Sequence, residues 1–296
     1  MVNVSQSLFY VLFADDSNAF LSGKNIDQVI CDINVALVDL VEWLNTNKLT
    51  LNNKKTQFII FKSPKCTQTI TKKVIINGQD IDRVESTRFL GVMLDSGLNF
   101  KSHISHIRKK VSKGLYILGR ARKLIPQLYH FKDLYYAFVH PYFSYCNEVW
   151  GNTCETYYDS LVKLQKRAIR IIAGVSSRAH TEELFKIYNI IPLEKNKLYK
   201  YSVCMFLYKL HNNLLPPGIQ SYYTLNNQVH QHNTRHAGDL HVSNVGGALM
   251  KRSLNHQSAM FYSKYPNLQT HLPIISYKYQ TKIMLLSDDL SLYVYE

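Results

Sequence analysis

The tetrapeptide Phe13-Ala14-Asp15-Asp16 constrains this chain more than any other feature. The apolar run Leu8-Phe9-Tyr10-Val11-Leu12 precedes it and Ser17-Asn18-Ala19-Phe20-Leu21 follows it. Two strand-like segments therefore meet at a pair of adjacent carboxylates. Two acids at a hairpin tip repel each other, and a bound divalent cation is the usual relief. Mg²⁺ suits such a place, because it takes hard oxygen ligands from one or two carboxylates and keeps its other positions for water and phosphate. The same arrangement serves phosphoryl transfer, in which two metals clamp the attacking and leaving oxygens. The plainer account is that Asp15 and Asp16 are turn residues, since aspartate favours turns.

Charge is distributed unevenly. Residues 1–100 hold ten basic and ten acidic side chains, whereas residues 101–296 hold 25 basic and 11 acidic, which puts the whole +14 excess in the second part. Between 101 and 123 there is no acid, and the same is true from 161 to 178. Phe100, Ile104, Ile107, Val111, Leu115 and Leu118 form an apolar stripe at helical spacing. The other faces of that helix carry Lys101, Arg108, Lys109, Lys110, Lys113, Arg120, Arg122 and Lys123. The second segment interleaves Lys163, Lys166, Arg167, Arg170 and Arg178 with Leu161, Leu164, Ile169 and Ile172. Clusters of one sign point to phosphate contact, which supplies affinity and position without reading sequence. A solvated helix face is the alternative.

The rest of the chain supplies the frame. Asn25 with Gln28 three residues on reads as a helix start, and Val29, Ile30, Ile33, Leu37, Leu40, Val41 and Leu44 continue it at helical spacing. Gln57 to Phe61 is strand-like, and Val74-Ile75-Ile76 with Asn77-Gly78 and Asp80-Ile81 reads as a hairpin. Phe89 to Leu94 reads as one further strand. Pro216-Pro217-Gly218 marks a break, after which residues 219–260 are rich in Asn, Gln, His and Ser and read as loop or partly disordered. The stretch with Tyr277, Tyr279, Ile283, Leu285 and Leu286 reads as a last helix.

Five cysteines at irregular spacing suit an intracellular, reduced protein, in the cytoplasm or the nucleus. No basic leader precedes a long apolar run, and Leu8 to Phe13 is too short to cross a bilayer, so no membrane partner is expected. His103 and His106, three apart, are open to three accounts: metal ligands, contacts beside phosphate, or packing. Trp150 and the 21 tyrosines invite base stacking. Tyr135, Phe138 and Tyr142, at helical spacing, read instead as core.

In order along the chain come Phe13-Ala14-Asp15-Asp16, a long helix, Lys48-Leu49-Thr50-Leu51-Asn52-Asn53-Lys54-Lys55-Thr56, and Phe89-Leu90-Gly91-Val92-Met93-Leu94-Asp95. This succession resembles a reverse transcriptase palm, and more narrowly the jockey-like, non-LTR retrotransposon polymerases. The resemblance continues through Leu98 to Ile104, His140 to Tyr145, Val149-Trp150-Gly151 and Leu164 to Ile172, and weakens beyond about residue 175. His232-Asn233-Thr234-Arg235 is similar to a tail motif of the same elements.

The implied fold is α+β. An antiparallel palm sheet backed by helices (1–97) is followed by a helical, basic thumb or connection region (98–215) and a polar C-terminal tail (216–296). The implied activity is RNA-directed DNA polymerisation, with Mg²⁺ as cofactor and an RNA template and DNA primer as partners. Asp15 and Asp16 would hold metal, and Lys55 would assist the departing pyrophosphate as a cation or proton donor. Phe89, Leu90 and Gly91 would form the primer grip, with Gly91 allowing close approach of backbone to primer or simply filling a buried strand. The basic residues Lys101 to Lys123, with Lys166, Arg167 and Arg170, would contact nucleic acid.

The family also uses an aspartate from a strand well upstream of this box, a Gly-rich substrate motif and fingers, which the 296 residues do not show. Two expectations for the chain by itself follow. One is an incomplete, inactive polymerase, since phosphoryl transfer depends on positioning. The alternative is a non-catalytic module that keeps its hold on nucleic acid.

Overall fold

The computed structural model describes residues 8–14, 16–63, 65–124, 129–229, 236–265 and 270–287. The chain divides into two units, Met1–Leu98 and Asn99–Glu296, so the boundary falls where the neutral part gives way to the basic one.

In the first unit β1 (Phe9–Phe13) and β2 (Asp16–Phe20) form an antiparallel hairpin. Phe13 faces Asp16 in its register, so the loop is two residues long. Ala14 takes a φ of 50° there, the left-handed conformation that tight two-residue hairpins demand. Helix α1 (Ile26–Thr46) starts where its cap predicts: Asn25 Oδ1 accepts from the Gln28 N–H at 3.1 Å. Gln28 does not complete the reciprocal box, because its Nε2 donates to Asp32 Oδ1 at 2.8 Å.

Polar side chains then tie α1 to the extended segment beside it. Asp27 Oδ1 accepts from the N–H groups of Thr71 and Lys72, and Asn34 accepts from Ile75 N–H while donating to Lys73 O. The core beneath is small: Ile30, Val74, Ile76 and Ile81 are buried, with Ile33, Leu37, Val41 and Phe58 packed around them.

The strands of this unit are shorter and more separate than the expected single antiparallel sheet. The remaining ones are β3 (Gln57–Phe58), β4 (Ile75–Ile76), β5 (Gln79–Asp80), β6 (Asp82–Arg83), β7 (Ser86–Phe89) and β8 (Val92–Asp95). They pair as ribbons of two, and β3 with β6 is parallel. The β4–β5 turn is the expected Asn-Gly one, with φ values of 51° at Asn77 and 72° at Gly78. Phe89 to Leu94, however, is not one strand. The chain reverses at Leu90-Gly91, whose φ values are 43° and 87°, and Phe89 pairs back on Val92. Gly91 is thus a turn residue, and its positive φ is the physical reason for a glycine there.

The second unit is helical. It comprises α2 (Lys101–Leu124), α3 (Tyr129–Phe138), α4 (His140–Ser144), α5 (Asn147–Trp150), α6 (Glu155–Ala173), α7 (Glu182–Ile187), α8 (Lys197–His211), α9 (Pro217–Gln220), α10 (Asn226–Val229), α11 (Ala248–Arg252), α12 (Leu254–Lys264) and α13 (Ile274–Ser287). Helices α2 and α6 lie side by side and parallel. Lys101 Nζ sits 5.9 Å from the centre of the Tyr157 ring at their N-terminal ends, while Arg122 meets Gly174 at their C-terminal ends.

Their apolar faces, with Phe131, Tyr135, Phe143, Trp150, Phe185 and Leu193, make the first core. Trp150 is wholly enclosed and its Nε1 donates to Tyr145 O at 2.8 Å, so it packs and does not stack on a base. Tyr135 is core as expected, whereas Phe138 and Tyr142 stay well exposed. A second core joins Val203, Leu207 and Tyr208 of α8 to Ala259 and Tyr262 of α12 and to Tyr277, Met284 and Leu285 of α13. Part of the region read as loop therefore carries helices that pack. His232 to Arg235 lies outside the described residues.

Candidate carboxylate hairpin and basic helix face

The hairpin β1–β2 carries Asp16 beside its two-residue turn. Asp16 is the first residue of β2 and its side chain is exposed. Asp15 lies outside the described residues. The donor chemistry fits a hard divalent cation, an exposed carboxylate oxygen on a tight turn. Among the described residues no group of three or more His, Cys, Asp or Glu stands in metal-holding geometry.

The second hairpin, β7–β8, carries Phe89, Leu90 and Gly91 at its turn. Phe20 and Phe89 pack edge to face with centroids 6.2 Å apart, which joins the end of β2 to the end of β7. Asp16 lies at the opposite end of β2, four residues or about 13 Å along the strand. The structure thus joins the two hairpins through Phe20 and Phe89 and leaves Asp16 exposed. Lys55 sits in a turn headed by Asn52, whose Oδ1 and main-chain oxygen both accept from the Lys55 N–H; its side chain is exposed.

On α2 the core takes Ile104, Ile107, Val111, Gly114, Leu115 and Leu118. Lys109, Lys113, Arg120 and Lys123 are exposed, and at about 100° per residue they fall on the face opposite that core. Arg108 and Lys110 flank this stripe and are exposed too. Among the described residues none of these six is in an ion pair. Lys101, at the N-terminal end, instead lies over the Tyr157 ring.

Arg122 is placed differently from its neighbours. It lies four residues past Leu118, on the core side, with its guanidinium 5.0 Å from the centre of the Phe131 ring and packed against the Gly174 cap of α6. Its Nη1 is enclosed.

The basic residues of α6 also have internal partners. Lys166 Nζ pairs with Glu194 at 2.8 Å, Lys163 pairs with Asp159 at 2.9 Å, and Arg170 Nε donates to Ala179 O at 2.8 Å. Arg167 remains exposed. Of the two histidines, His103 is a packing residue: it is buried with its ring edge-on to Trp150, centroids 5.3 Å apart. Burial, and then the neighbouring His106, push its pKa down to about 4.

Sequence reasoning missed Gln165, the polar centre of the first core. Its side chain donates to Tyr135 Oη and to Ile191 O at 3.0 Å each, and accepts from Leu193 N–H at 2.6 Å. Its place in the buried stripe, four residues past Leu161, was the available signal. No helix among the described residues is long and apolar enough to cross a membrane.

Comparison with known proteins gives one consistent group. The chain is 26% identical over 137 residues to the "probable RNA-directed DNA polymerase from transposon X-element" of Drosophila melanogaster, covering 45% of this chain and 14% of that protein. It is 23% identical over 185 residues to the corresponding protein of transposon BS from the same species, covering 62% and 20%. It is 28% identical over 115 residues to the RNA-directed DNA polymerase of mobile element jockey from Drosophila funebris, covering 38% and 12%. The matched stretch is thus at most a fifth of the length of these curated relatives. No family model matches, and no solved structure does. These matches agree with the ordered motifs: over the matched stretches the chain is similar to RNA-directed DNA polymerases of jockey-like, non-LTR retrotransposons.

Proposed function

We propose that this chain holds the template–primer duplex of a non-LTR retrotransposon reverse transcriptase. In the whole polymerase, Asp15 and Asp16 would serve nucleotidyl transfer from an RNA template onto a DNA primer. The observation that carries the reading is the exposed basic face of α2, held by a buried core on its other side and free of acids from 101 to 123. A one-signed stripe with no ion-pair partner among the described residues has unspent charge, and a phosphate backbone is the polyanion that fits it.

The divalent metal, Mg²⁺ by chemistry, would be held by Asp15 and Asp16 and would neutralise charge on the reacting phosphates. Lys55, on its Asn52-headed turn, would offer a positive charge to the leaving group. Phe89, Leu90 and Gly91, at the tip of the second hairpin, would touch the primer through an exposed turn. The cations that would grip are Lys101, Arg108, Lys109, Lys110, Lys113, Arg120 and Lys123, joined by Arg167. Arg122, Lys166 and Arg170 would act through the packing of the helices that carry them.

A second reading is favoured by the same distribution. The grip is complete on one helix, whereas the chemistry draws on groups that the family resemblance places elsewhere. These 296 residues are then a nucleic-acid-binding module without turnover.

The test is binding of an RNA–DNA duplex at two salt concentrations beside primer extension with Mg²⁺. Charge reversal at Lys109, Lys110 and Lys113 is expected to flatten the salt dependence by about 0.9 in log–log slope for each phosphate that is no longer neutralised. An unchanged slope would remove α2 from the interface. Joint Asp15→Asn and Asp16→Asn should leave duplex binding equal or slightly tighter, because negative charge near phosphate is removed. Extension that ends with Asp15→Asn would show a working polymerase, and binding without extension would support the module.

A further inference from the structure

The basic stripe on α2 is interrupted once, by an aromatic ring. Lys109, Lys113, Tyr116, Arg120 and Lys123 follow one another at spacings of four, three, four and three, the pattern of a single helix face. Tyr116 stands at the middle of this row and is 69% exposed. An exposed tyrosine alone is ordinary. This one has cations three residues before it and four after it, and further cations seven residues away on each side. Lys113 and Arg120, which straddle it, are separated by about 10 Å of helix rise.

From this geometry we propose that Tyr116 is a stacking platform for an unpaired base. The stripe thereby recognises a single-stranded stretch of nucleic acid beside the duplex that the proposed function assigns to it. The inference rests on that function for its cations and adds a ligand to it.

The physical reason is the state of the bases. In a continuous duplex both faces of each base are covered by neighbours, so a ring projecting from a helix surface finds phosphate and sugar. In a single strand a face is open, and the flanking ammonium and guanidinium groups hold phosphates on either side of the base that the ring covers. Combining cationic tracking of the backbone with aromatic stacking is how sequence-tolerant single-strand sites are built. The phenol is not required for stacking, so the ring carries the effect and the hydroxyl does not.

The experiment measures binding of the full chain to a fluorescent single-stranded RNA oligonucleotide and to a long blunt RNA–DNA duplex, each at two salt concentrations. Tyr116→Ala is expected to weaken single-strand binding about tenfold, within the range that loss of one stacked base produces. It should leave the salt slope and the duplex affinity unchanged, and Tyr116→Phe should bind like the unaltered chain. Quenching of a 2-aminopurine base in the oligonucleotide should disappear with Tyr116→Ala and persist with Tyr116→Phe. Equal single-strand affinity in Tyr116→Ala, or an equal loss on both ligands, would overturn the proposal while the duplex grip stands. A flat salt response of the unaltered chain on the duplex would instead sink the duplex grip itself. The exposure of Tyr116 makes misfolding of these variants a separate, visible result in a thermal melt.

Discussion

Gln165→Leu offers the most direct test of how the helical unit is held. Gln165 is 1% exposed, and its amide serves three buried partners. It accepts from Leu193 N–H, donates to Ile191 O and donates to Tyr135 Oη. Leu193 is fully buried and Ile191 and Tyr135 nearly so, which denies water access to replace the amide. Leucine keeps most of the volume and leaves a main-chain donor, a main-chain acceptor and a phenol oxygen without that partner.

Each buried group left unsatisfied costs about 1–3 kcal/mol, so the three together cost about 3–5 kcal/mol when the weaker phenol and the two-lone-pair carbonyl are set low. Burying the extra apolar surface of leucine returns about 1 kcal/mol. A net loss of about 2–4 kcal/mol remains, a large share of the roughly 5–15 kcal/mol typical of a domain. Urea unfolding followed by circular dichroism would read it as a lower midpoint at unchanged slope. Gln165→Glu adds a second handle, because a carboxylate cannot donate to Ile191 or Tyr135 whereas its protonated form can donate to one of them. Its deficit should therefore shrink as pH falls. Arg167→Gln, an exposed change on the same helix, should stay within about 0.5 kcal/mol. A Gln165→Leu midpoint indistinguishable from that control would refute the three-bond account.

Three further outcomes are expected. Gly174, at the cap of α6, has a φ of 67°, and a methyl group there would intrude on the Arg122 guanidinium. Gly174→Ala should therefore cost about 1–2 kcal/mol from the backbone alone, a drop in melting temperature of about 2–4 °C for each kcal/mol. An unchanged melt would contradict the packing. Burial, and then Lys282, lower the His140 pKa to about 4, and its ring packs on Tyr136 at 4.9 Å and Tyr135 at 5.8 Å. Lys282 is itself pushed down by burial and by Lys132. A histidine held below its unfolded value contributes stability above about pH 6.5 that is lost as pH falls toward 4. His140→Phe should flatten that acid limb in urea melts taken across the window, and an identical limb would count against the site. Finally, Arg122→Ala should lower the melting temperature while leaving the salt slope of duplex binding intact, and Lys113→Ala should do the reverse. A slope that moves with Arg122 would place its guanidinium on nucleic acid.

What the sequence disclosed and what it hid divide along the range of the interactions involved. The start of α1 at Asn25, the Asn77-Gly78 turn and the buried stripe of α2 were legible because each is set by residues within a turn or two of one another. The Leu90-Gly91 reversal was hidden by the apolar run around it. A leucine at φ 43° is unusual, and only the glycine in mid-strand hinted at a break. Helix α12 escaped because its buried residues are Ser258, Ala259 and Tyr262, a hydroxyl, a methyl and one aromatic ring that together give little apolar periodicity. Ser258 Oγ and Tyr223 Oη lie 2.8 Å apart across this packing, a pairing of residues 35 apart that no local pattern predicts. The inward turn of Arg122 could have been read from its spacing, four past Leu118 and seven past Leu115. The partners of Lys166 and Arg170 come from Glu194 and Ala179, and only folding brings them there.

In the sequence the two acid-free segments look equivalent, and their charges sum into one basic excess. Folding separates them. On α6, Lys163 and Lys166 are each paired with a carboxylate, which offsets their charge at close range, and Arg170 is tied to the Ala179 carbonyl beyond the helix, so only Arg167 of these is left exposed without such a partner among the described residues. The cations of α2 have no ion-pair partner among the described residues, and the core at their backs fixes the side they face. A ligand that follows one strand needs a row of unspent charge on a rigid support, and the α2 row provides both. Net charge indicates that a polyanion is a suitable partner, but the pairing pattern inside the fold determines where on the surface it lies.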